Sequence, residues 1–293
     1  MSSIPRVFMP LAGVDFSRMA ELGPIVRNIL DGGIHGISFS AYLDHQSPGS
    51  QIGEGQIRAK MDIVKPYVKW VRTFSCTDGN EQIPRIAHEN GLKTLVGAWL
   101  GKDAEKNENE VEGVIKVAKA GHADIVAVGN EVLLRKDLTE DQIIEFLRRV
   151  KKELPGIPVG YVDAYYEFTV TPKITEECDV ILANCYPFWE GYPFEHSLLY
   201  LKEMYRRAVK AGKGKKVIIS ETGWPNLGTP VKDSVPSREN AVKYFINTFT
   251  WAAEENVEVF YFSSFDEAWK IHAEGDVGAY WGLWDKDGNL KYV

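Results

Sequence analysis

Short hydrophobic runs recur along the chain and alternate with longer stretches in which hydrophobic residues are spaced three or four positions apart. The runs are rich in β-branched and aromatic residues and have the length of strands. Because almost every position in them is hydrophobic, both faces of the sheet should be buried, as in parallel sheets covered by helices. The pattern predicts eight strands, at residues 35–42, 70–75, 93–99, 124–131, 157–164, 179–186, 216–221 and 257–265.

The stretches between the strands predict helices. Residues 139–154 give the clearest signal, since Thr139 and Gln142 form a capping-box pattern ahead of a hydrophobic stripe. Pro155 and Gly156 then mark the end of this helix. Further helices are predicted within residues 17–30, 78–91, 108–121 and 236–256.

Repeated strand–helix units over 293 residues predict an α/β protein with a (β/α)8 TIM barrel. We expect one catalytic domain spanning residues 1–293, because no linker or low-complexity segment interrupts the series. Residues 1–33 would be an N-terminal extension whose helix packs under the barrel floor, and residues 34–293 the barrel. A doubly wound open sheet is the alternative, but residues 40–55 lack the G-x-G-x-x-G turn that often follows its first strand.

Composition and charge exclude several classes of function. The formal net charge is −7 and no long basic run occurs, so we expect no nucleic-acid partner. No stretch approaches the ~18 apolar residues of a membrane span, so we expect no membrane partner. The N-terminus shows no signal-peptide pattern, and the compartment is left open. We expect a monomer.

The usual motifs of metal and cofactor enzymes are missing from the sequence. Three scattered cysteines, Cys76, Cys178 and Cys185, do not form a disulfide framework. The six histidines show no H-x-H or H-E-x-x-H spacing, and no G-x-S-x-G is present. We therefore expect no metal and no cofactor.

Polar side chains gather where the predicted strands end. The carboxyl ends of barrel strands build the active site, so these side chains should lie together. Strand two carries an arginine within its hydrophobic run, and an unpaired buried charge is costly, so this arginine requires a carboxylate partner. The residues concerned are Arg72, Asn130, Glu131, Asn184, Tyr186, Ser220, Glu221, Glu267 and Lys270.

Glu131 and Glu221 end strands on roughly opposite sides of the ring, where their carboxyl groups can converge on one sugar-sized space. Glycoside hydrolysis requires such a pair: one carboxyl group protonates the leaving oxygen, and the other attacks the anomeric carbon or activates water. A lone glutamate at a strand end is more often a cap or a rim ion pair, but two in this setting favour a catalytic pair. Arg72 could orient either one, or form a structural ion pair.

Three motifs carry a resemblance to a known family. GNEV (129–132), SETGWP (220–225) and FDEAWK (265–270) resemble motifs of glycoside hydrolase family 17, the β-1,3-glucanases and related transglycosylases. The bacterial-type members are the most similar, through GISFSAY (36–42) and WGLWDKDGNLK (281–291) among others. The likeness covers most of residues 34–291, and many relatives have proline in place of Ala268.

The resemblance implies a retaining mechanism with Glu131 as acid/base and Glu221 as nucleophile. Asn130 would bond the sugar 2-hydroxyl, and Tyr186 would reach the nucleophile. Glu267 and Lys270 match a polar pair with less defined roles, and several aromatic residues would stack on sugar rings. The full set expected to bind substrate is Asn130, Tyr42, Arg72, Trp99, Tyr186, Trp189, Trp224, Phe265, Glu267, Trp269 and Lys270.

The two catalytic roles require different environments. Glu221 must be ionised to attack, so nearby donors such as Tyr186 should stabilise its charge. Glu131 must first be protonated, so burial and the neighbouring negative charge should raise its pKa. Retention places the two carboxyl groups ~5–5.5 Å apart.

The leading hypothesis is a retaining hydrolase of laminarin-type β-1,3-glucan, with endo action favoured. A glucanosyltransferase that uses the same two glutamates is the close alternative, and a non-catalytic glucan-binding barrel is the remote one. The partner is a β-glucan polysaccharide or oligosaccharide in each case. Only the resemblance suggests action outside the cytoplasm.

Overall fold

A computed structural model describes residues 19–293. Eight parallel strands close into a barrel in the order in which they occur along the chain. The predicted (β/α)8 fold and all eight predicted strands are confirmed. The strands are β1 (Ile34–Ser38), β2 (Val68–Arg72), β3 (Lys93–Ala98), β4 (Ile125–Asn130), β5 (Val159–Ala164), β6 (Val180–Asn184), β7 (Lys216–Thr222) and β8 (Val259–Tyr261).

Helices separate the strands and form the outer layer. Within residues 19–293, no helix is long and apolar enough to cross a membrane. The helices are α1 (Met19–Asp31), α2 (Glu54–Val64), α3 (Ile83–Glu89), α4 (Ala104–Lys119), α5 (Glu140–Glu153), α6 (Glu167–Val170), α7 (Pro172–Glu177), α8 (Pro187–Glu190), α9 (Phe194–Gly212), α10 (Arg238–Glu255) and α11 (Ile271–Glu274). Short 3-10 helices cover Asn80–Gln82, Ala268–Lys270 and Asp276–Tyr280.

A local sequence signal explains where helix α5 begins. The capping box predicted for α5 is present. The Thr139 side chain accepts from the Gln142 backbone N–H, and the Gln142 side chain accepts from the Thr139 backbone N–H. Helix α1 packs against α10. Residues 17 and 18 of the predicted first helix lie outside the described residues, as do the first sixteen of the predicted extension.

A compact hydrophobic cluster fills the inside of the barrel. Its members alternate along their strands, so they share the inward face, and glycines on neighbouring strands leave room for the largest of them. A Cβ atom on Gly36 would lie 2.5 Å from the Phe260 ring. The cluster consists of Leu95, Ile125, Ala127, Val162, Val180, Leu182, Ile218 and Phe260.

The regular ladder breaks at the carboxyl ends of the strands that carry the predicted acids. Register shifts occur between β4 and β5, between β6 and β7, and between β7 and β8. Each register shift places an extra residue on one of the two paired strands, which bends that strand and changes the direction of its side chains. Strand β8 is short, covering Val259–Tyr261, and ends at Tyr261 rather than at the predicted residue 265. The barrel floor, where the amino ends of the strands lie, keeps a regular register. The upper end, where the carboxyl ends of the strands lie, has the register shifts.

Candidate active site

Glu221 is the penultimate residue of β7, and donors contact both of its carboxylate oxygens. Arg72 donates from Nη1 to Oε1 at 2.5 Å, and the Tyr186 hydroxyl donates to Oε2 at 2.7 Å. Only 5% of Glu221 is exposed. Burial beside this carboxylate holds the pKa of Tyr186 well above its usual value, so the phenol keeps its proton and remains a donor. Arg72 and Tyr186 together fix the orientation of the Glu221 carboxyl group.

The Arg72 guanidinium joins the nucleophile candidate to Asn130. Its Nη2 donates to Asn130 Oδ1 at 2.8 Å, so one rigid fork contacts both side chains. Of the two glutamates considered as partners of Arg72, the structure pairs it with Glu221. Arg72 is 1% exposed, so the prediction that it contacts substrate is wrong. It lies behind the two residues that it orients.

Glu131 follows β4 in a backbone conformation that is uncommon for a residue with a side chain. Its φ is +52°, in the left-handed region, and Gly129 two positions earlier has φ +87°. Such conformations persist only where surrounding contacts enforce them. Here the Glu131 N–H donates to the Val162 carbonyl at 2.8 Å, and the Arg135 N–H donates to the Glu131 carbonyl at 2.9 Å. The turn thus fixes where the Glu131 side chain starts.

The surroundings of Glu131 favour its protonated form. Burial raises its pKa from 4.5 to about 7, and the charges of Glu221 and Asp163 act in the same direction. The Asn184 amide donates to Glu131 Oε1 at 2.9 Å, and this bond and the Arg72 charge oppose the increase. The expectation that burial and a neighbouring carboxylate raise the pKa of Glu131 is confirmed.

A second polar cluster lies where β1 and β8 end. Glu267 accepts at Oε1 from Ser40 Oγ at 2.5 Å and from Trp269 Nε1 at 3.0 Å. Lys270 Nζ lies 2.6 Å from the other Glu267 oxygen. The Tyr42 ring meets the Trp269 ring edge-on at 6.1 Å. The structure therefore brings four predicted site residues together. Glu267 and Lys270 support the two edge-on aromatic rings of Tyr42 and Trp269.

Two of the predicted aromatic platforms remain partly open. Trp99 is 41% exposed, with the Arg135 guanidinium 4.5 Å from its ring centre. Trp189 is 36% exposed and packs against Trp281. Tyr166, which follows β5 and was not predicted, is 38% exposed. These rings have faces that could meet a ligand.

Two other predicted contacts are wrong, because the side chains are enclosed by protein. Trp224 has no exposed surface, and its Nε1 donates to the Val235 carbonyl at 3.0 Å. Phe265 is 2% exposed, with the Lys60 ammonium 4.0 Å from its ring centre. Neither ring can stack on a sugar. Both belong to the quoted motifs SETGWP and FDEAWK, so motif membership did not distinguish packing from binding.

Three polar residues near the two glutamates, Asp163, Asn184 and Ser220, had no predicted role. A signal for Asn184 was present, because it is a polar residue at the carboxyl end of a hydrophobic strand, where the active site of a barrel is built. Asp163 is fully buried and accepts from the Tyr161 hydroxyl, a contact between two strand residues that no motif marks. Across residues 19–293, no three His, Cys, Asp or Glu side chains are grouped to hold a metal ion.

Comparison with known families agrees with this geometry. The family described as "BtgE/BtgC glycoside hydrolase domain" matches residues 36–282, which is most of the chain. The chain belongs to this glycoside hydrolase family. The predicted resemblance to glycoside hydrolase family 17 is confirmed, and the chain is an O-glycosyl hydrolase by family. The finer prediction of a bacterial-type member stays a prediction.

Relatives and solved structures extend the likeness over most of the chain. Glucan 1,3-beta-glucosidase BGL2 of Candida albicans is 27% identical over 257 residues, covering 79% of this chain and 83% of the relative. The glycoside hydrolase family 17 beta-1,3-glucanosyltransferase from Rhizomucor miehei has a TM-score of 0.79 at 29% identity, covering 88% of this chain and 95% of that chain. An active-site mutant of the Rhizomucor miehei enzyme in complex with laminaritriose has a TM-score of 0.79 at 28% identity, with the same coverage.

Proposed function

We propose that this protein is a retaining glycoside hydrolase of laminarin-type β-1,3-glucan, with Glu221 as nucleophile and Glu131 as acid/base. The observation that carries the proposal is the contrast between the two carboxyl groups. Glu221 accepts from Arg72 and Tyr186, whereas burial and two nearby carboxylates raise the pKa of Glu131 to about 7. Carboxyl pairs whose environments separate their protonation states have distinct acid and base roles.

The substrate class follows from the relatives. The Candida albicans relative is named a glucan 1,3-beta-glucosidase, and the Rhizomucor miehei enzyme has been solved with laminaritriose. Exposed Trp99, Tyr166 and Trp189 offer aromatic faces suited to the C–H faces of pyranose rings. We therefore propose a β-1,3-linked glucan chain as the substrate, bound across the open end of the barrel.

In the first step, the ionised Glu221 attacks the anomeric carbon and forms a glycosyl ester. The bond from that carbon to the leaving oxygen breaks, and Glu131 transfers its proton to the leaving oxygen. Asn130 accepts from Arg72 through Oδ1, which directs its amide N–H group toward other acceptors such as the sugar 2-hydroxyl. That contact strengthens as positive charge develops on the ring.

In the second step, the ester no longer carries the Glu221 charge, so one cause of the raised Glu131 pKa disappears. Glu131 is now a carboxylate and takes a proton from an incoming hydroxyl group. The new oxygen bonds to the anomeric carbon from the face that the leaving group left, and Glu221 is released as a carboxylate. Two inversions give net retention.

The incoming hydroxyl decides between hydrolysis and transfer. Water gives hydrolysis, and a sugar hydroxyl gives a β-1,3-glucanosyltransferase, as the Rhizomucor miehei structures are named. We favour endo-acting hydrolysis and keep transfer as the second candidate. We also propose that the protein is a monomer. A non-catalytic glucan-binding barrel fits poorly, because both carboxyl groups are present in distinct environments.

The test is the length of the products formed from laminaritriose and from laminarin. If all products are shorter than laminaritriose, hydrolysis is supported, whereas any product longer than laminaritriose supports transfer. Glu221→Gln should lower kcat by at least about 10⁴-fold, since the nucleophile is lost. Glu254→Gln, an exposed glutamate on α10, is the matched control and should be fully active. Unchanged cleavage of laminarin by Glu221→Gln would refute the proposal.

A further inference from the structure

Asn184 links the two strands that carry the catalytic candidates. It ends β6, is 2% exposed, and donates from Nδ2 to Glu131 Oε1 at 2.9 Å. At its other end, Oδ1 accepts from Ser220 Oγ at 2.8 Å. Ser220 is fully buried and immediately precedes Glu221. One amide therefore stands between the acid/base candidate and the residue next to the nucleophile candidate.

The register shift between β6 and β7 creates this contact. Ala183 is paired with Ile219, and the next residue, Asn184, is paired with Glu221. Ser220 is thus the extra residue of a bulge, with no partner of its own on β6. In a regular strand, adjacent side chains point to opposite faces. The bulge instead allows Ser220 to bond Asn184 while Glu221 bonds Arg72 and Tyr186.

We propose that Asn184 and Ser220 are positioning residues for the acid/base step. Asn184 orients the Glu131 carboxyl group and stabilises its ionised form, and Ser220 fixes the orientation of the Asn184 amide. The inference rests on the proposed role of Glu131. It deepens that proposal by naming what stabilises the carboxylate that Glu131 becomes when its proton passes to the leaving group.

The direction of the effect follows from the chemistry of an amide. A serine hydroxyl bonded to Oδ1 leaves the N–H₂ end for Glu131, and an N–H donor favours a carboxylate over a carboxylic acid. Without the hydroxyl, the amide could turn and present Oδ1 to Glu131. An oxygen there is compatible only with protonated Glu131. Loss of either residue should therefore favour the protonated acid.

Several other groups face Glu131 and set the background for this effect. Glu221 on β7 and Asp163 on β5 favour protonation, and Arg72 on β2 opposes it. The phenols of Tyr186 and Tyr166 also lie within electrostatic range of Glu131. None of these is altered by substituting Asn184 or Ser220, so a shift of the pH profile can be assigned to the amide.

The test is the pH dependence of kcat/KM on laminarin. The alkaline limb reports loss of the proton from the acid/base group. We expect Asn184→Ala to move this limb upward by about one pH unit and Ser220→Ala by about half a unit. Because Ser220 acts through Asn184, the double variant should match Asn184→Ala alone.

Controls separate positioning from general loss of structure. Ser197→Ala removes another buried serine, on α9, whose hydroxyl has no partner among the described residues, and should leave the profile unchanged. Thermal unfolding of every variant identifies those that fold poorly. Ser220→Cys preserves the size of the side chain with a weaker donor. If Ser220→Ala does not fold, Ser220→Cys takes its place and should show the same upward shift of the alkaline limb.

A second readout does not depend on catalysis. Carbon-13 NMR of labelled glutamate, with the Glu131 signal assigned by its absence in Glu131→Gln, follows the carboxyl titration directly. It should show the same upward shifts in both single variants. An unmoved titration, or a full additional shift from Ser220→Ala in the Asn184→Ala background, would overturn the inference. Full activity of Glu131→Gln would instead refute the acid/base role, whatever the titration shows.

Discussion

Strand β4 has a carboxylate at each end: Asp124 precedes it at the barrel floor, and Glu131 follows it at the opposite end. Asp124 accepts from the Thr94 N–H at 2.8 Å, lies 3.0 Å from His88 Nε2, and keeps 30% of its side chain exposed. Glu131 instead faces Glu221 and Asp163, and its pKa is raised to about 7. The same strand therefore has a hydrogen-bonded aspartate at one end and, at the other, a glutamate whose ionised form is destabilised.

Histidine at the floor extends the contrast. His35 packs against Trp70 and Phe260, and burial lowers its pKa from 6.5 to about 4. The floor thus keeps a base neutral, whereas the opposite end keeps an acid neutral. Desolvation causes both pKa shifts. Only Glu131, however, lies near Glu221, a carboxylate with a hydrogen-bond donor on each oxygen. Substitutions at the floor should change stability, and those at the upper end activity.

The largest expected effect tests an exception to this rule. Trp224 lies at the upper end but is fully enclosed, so Trp224→Ala should lower the free energy of unfolding by about 4 kcal/mol. The partly exposed Trp189 is its control. Trp189→Ala should instead raise KM for laminarin, with a stability loss of about 1 kcal/mol or less. Urea unfolding and steady-state kinetics measure both. A raised KM with intact stability in Trp224→Ala would contradict its assignment to the core.

The next effect concerns the floor and pH. Unfolded His35 binds a proton below about pH 6.5, whereas the folded form resists protonation down to about pH 4. The unfolded state therefore binds more protons in this window, and stability falls as the pH falls. Relative to His35→Gln, the parent should lose about 3 kcal/mol between pH 7 and pH 4.

Urea unfolding at several pH values measures this loss. His45→Gln, which alters an exposed histidine, is the control and should follow the parent. A parallel pH dependence of the parent and His35→Gln would show that His35 is not the group responsible.

A slightly smaller effect tests the fork at the upper end. Lysine keeps the charge of Arg72 but cannot contact Glu221 and Asn130 with one planar group. Arg72→Lys should lower kcat/KM on laminarin by about 100-fold, comparable to the loss of a preorganised donor. Arg58→Lys, at a surface ion pair on α2, is the control. Near-parental activity of Arg72→Lys would mean that charge alone suffices.

The smallest effect runs against the usual result of substituting a buried residue. The folded-state pKa of Glu131, about 7, lies above its ordinary 4.5, so stability falls as the pH rises between these values. Glu131→Gln should therefore increase the free energy of unfolding at pH 8 by about 1–2 kcal/mol, allowing for partial exposure. Thermal or urea unfolding at pH 4 and pH 8 checks this. An equal gain at both pH values would exclude ionisation as the cause.

Strand positions and the catalytic candidates were predictable because they depend on local patterns. Hydrophobic runs of strand length marked all eight strands, and the terminal positions of Glu131 and Glu221 followed directly. Tyr186 could be placed beside Glu221 only through the family resemblance.

Burial at the strand ends was less predictable. Trp224, Phe265 and Trp189 all lie in or near polar motifs, yet only Trp189 reaches the surface. Sequence position gives the element to which an aromatic residue belongs, but not which loops cover it. The Asn184–Ser220 contact also escaped prediction, because it depends on one extra residue in the β6–β7 register.

By itself, the sequence determined the order of strands and helices, the closed parallel barrel, and the presence of two glutamates at the ends of β4 and β7. These features depend on hydrophobic periodicity and chain length, which are written along the chain. Tertiary structure alone decided that Arg72 pairs with Glu221, that Asn184 contacts Glu131, and which tryptophans are enclosed. Such features depend on bulges and on contacts between residues far apart in the chain. Desolvation and neighbouring charges at that end of the barrel then raise the pKa of Glu131.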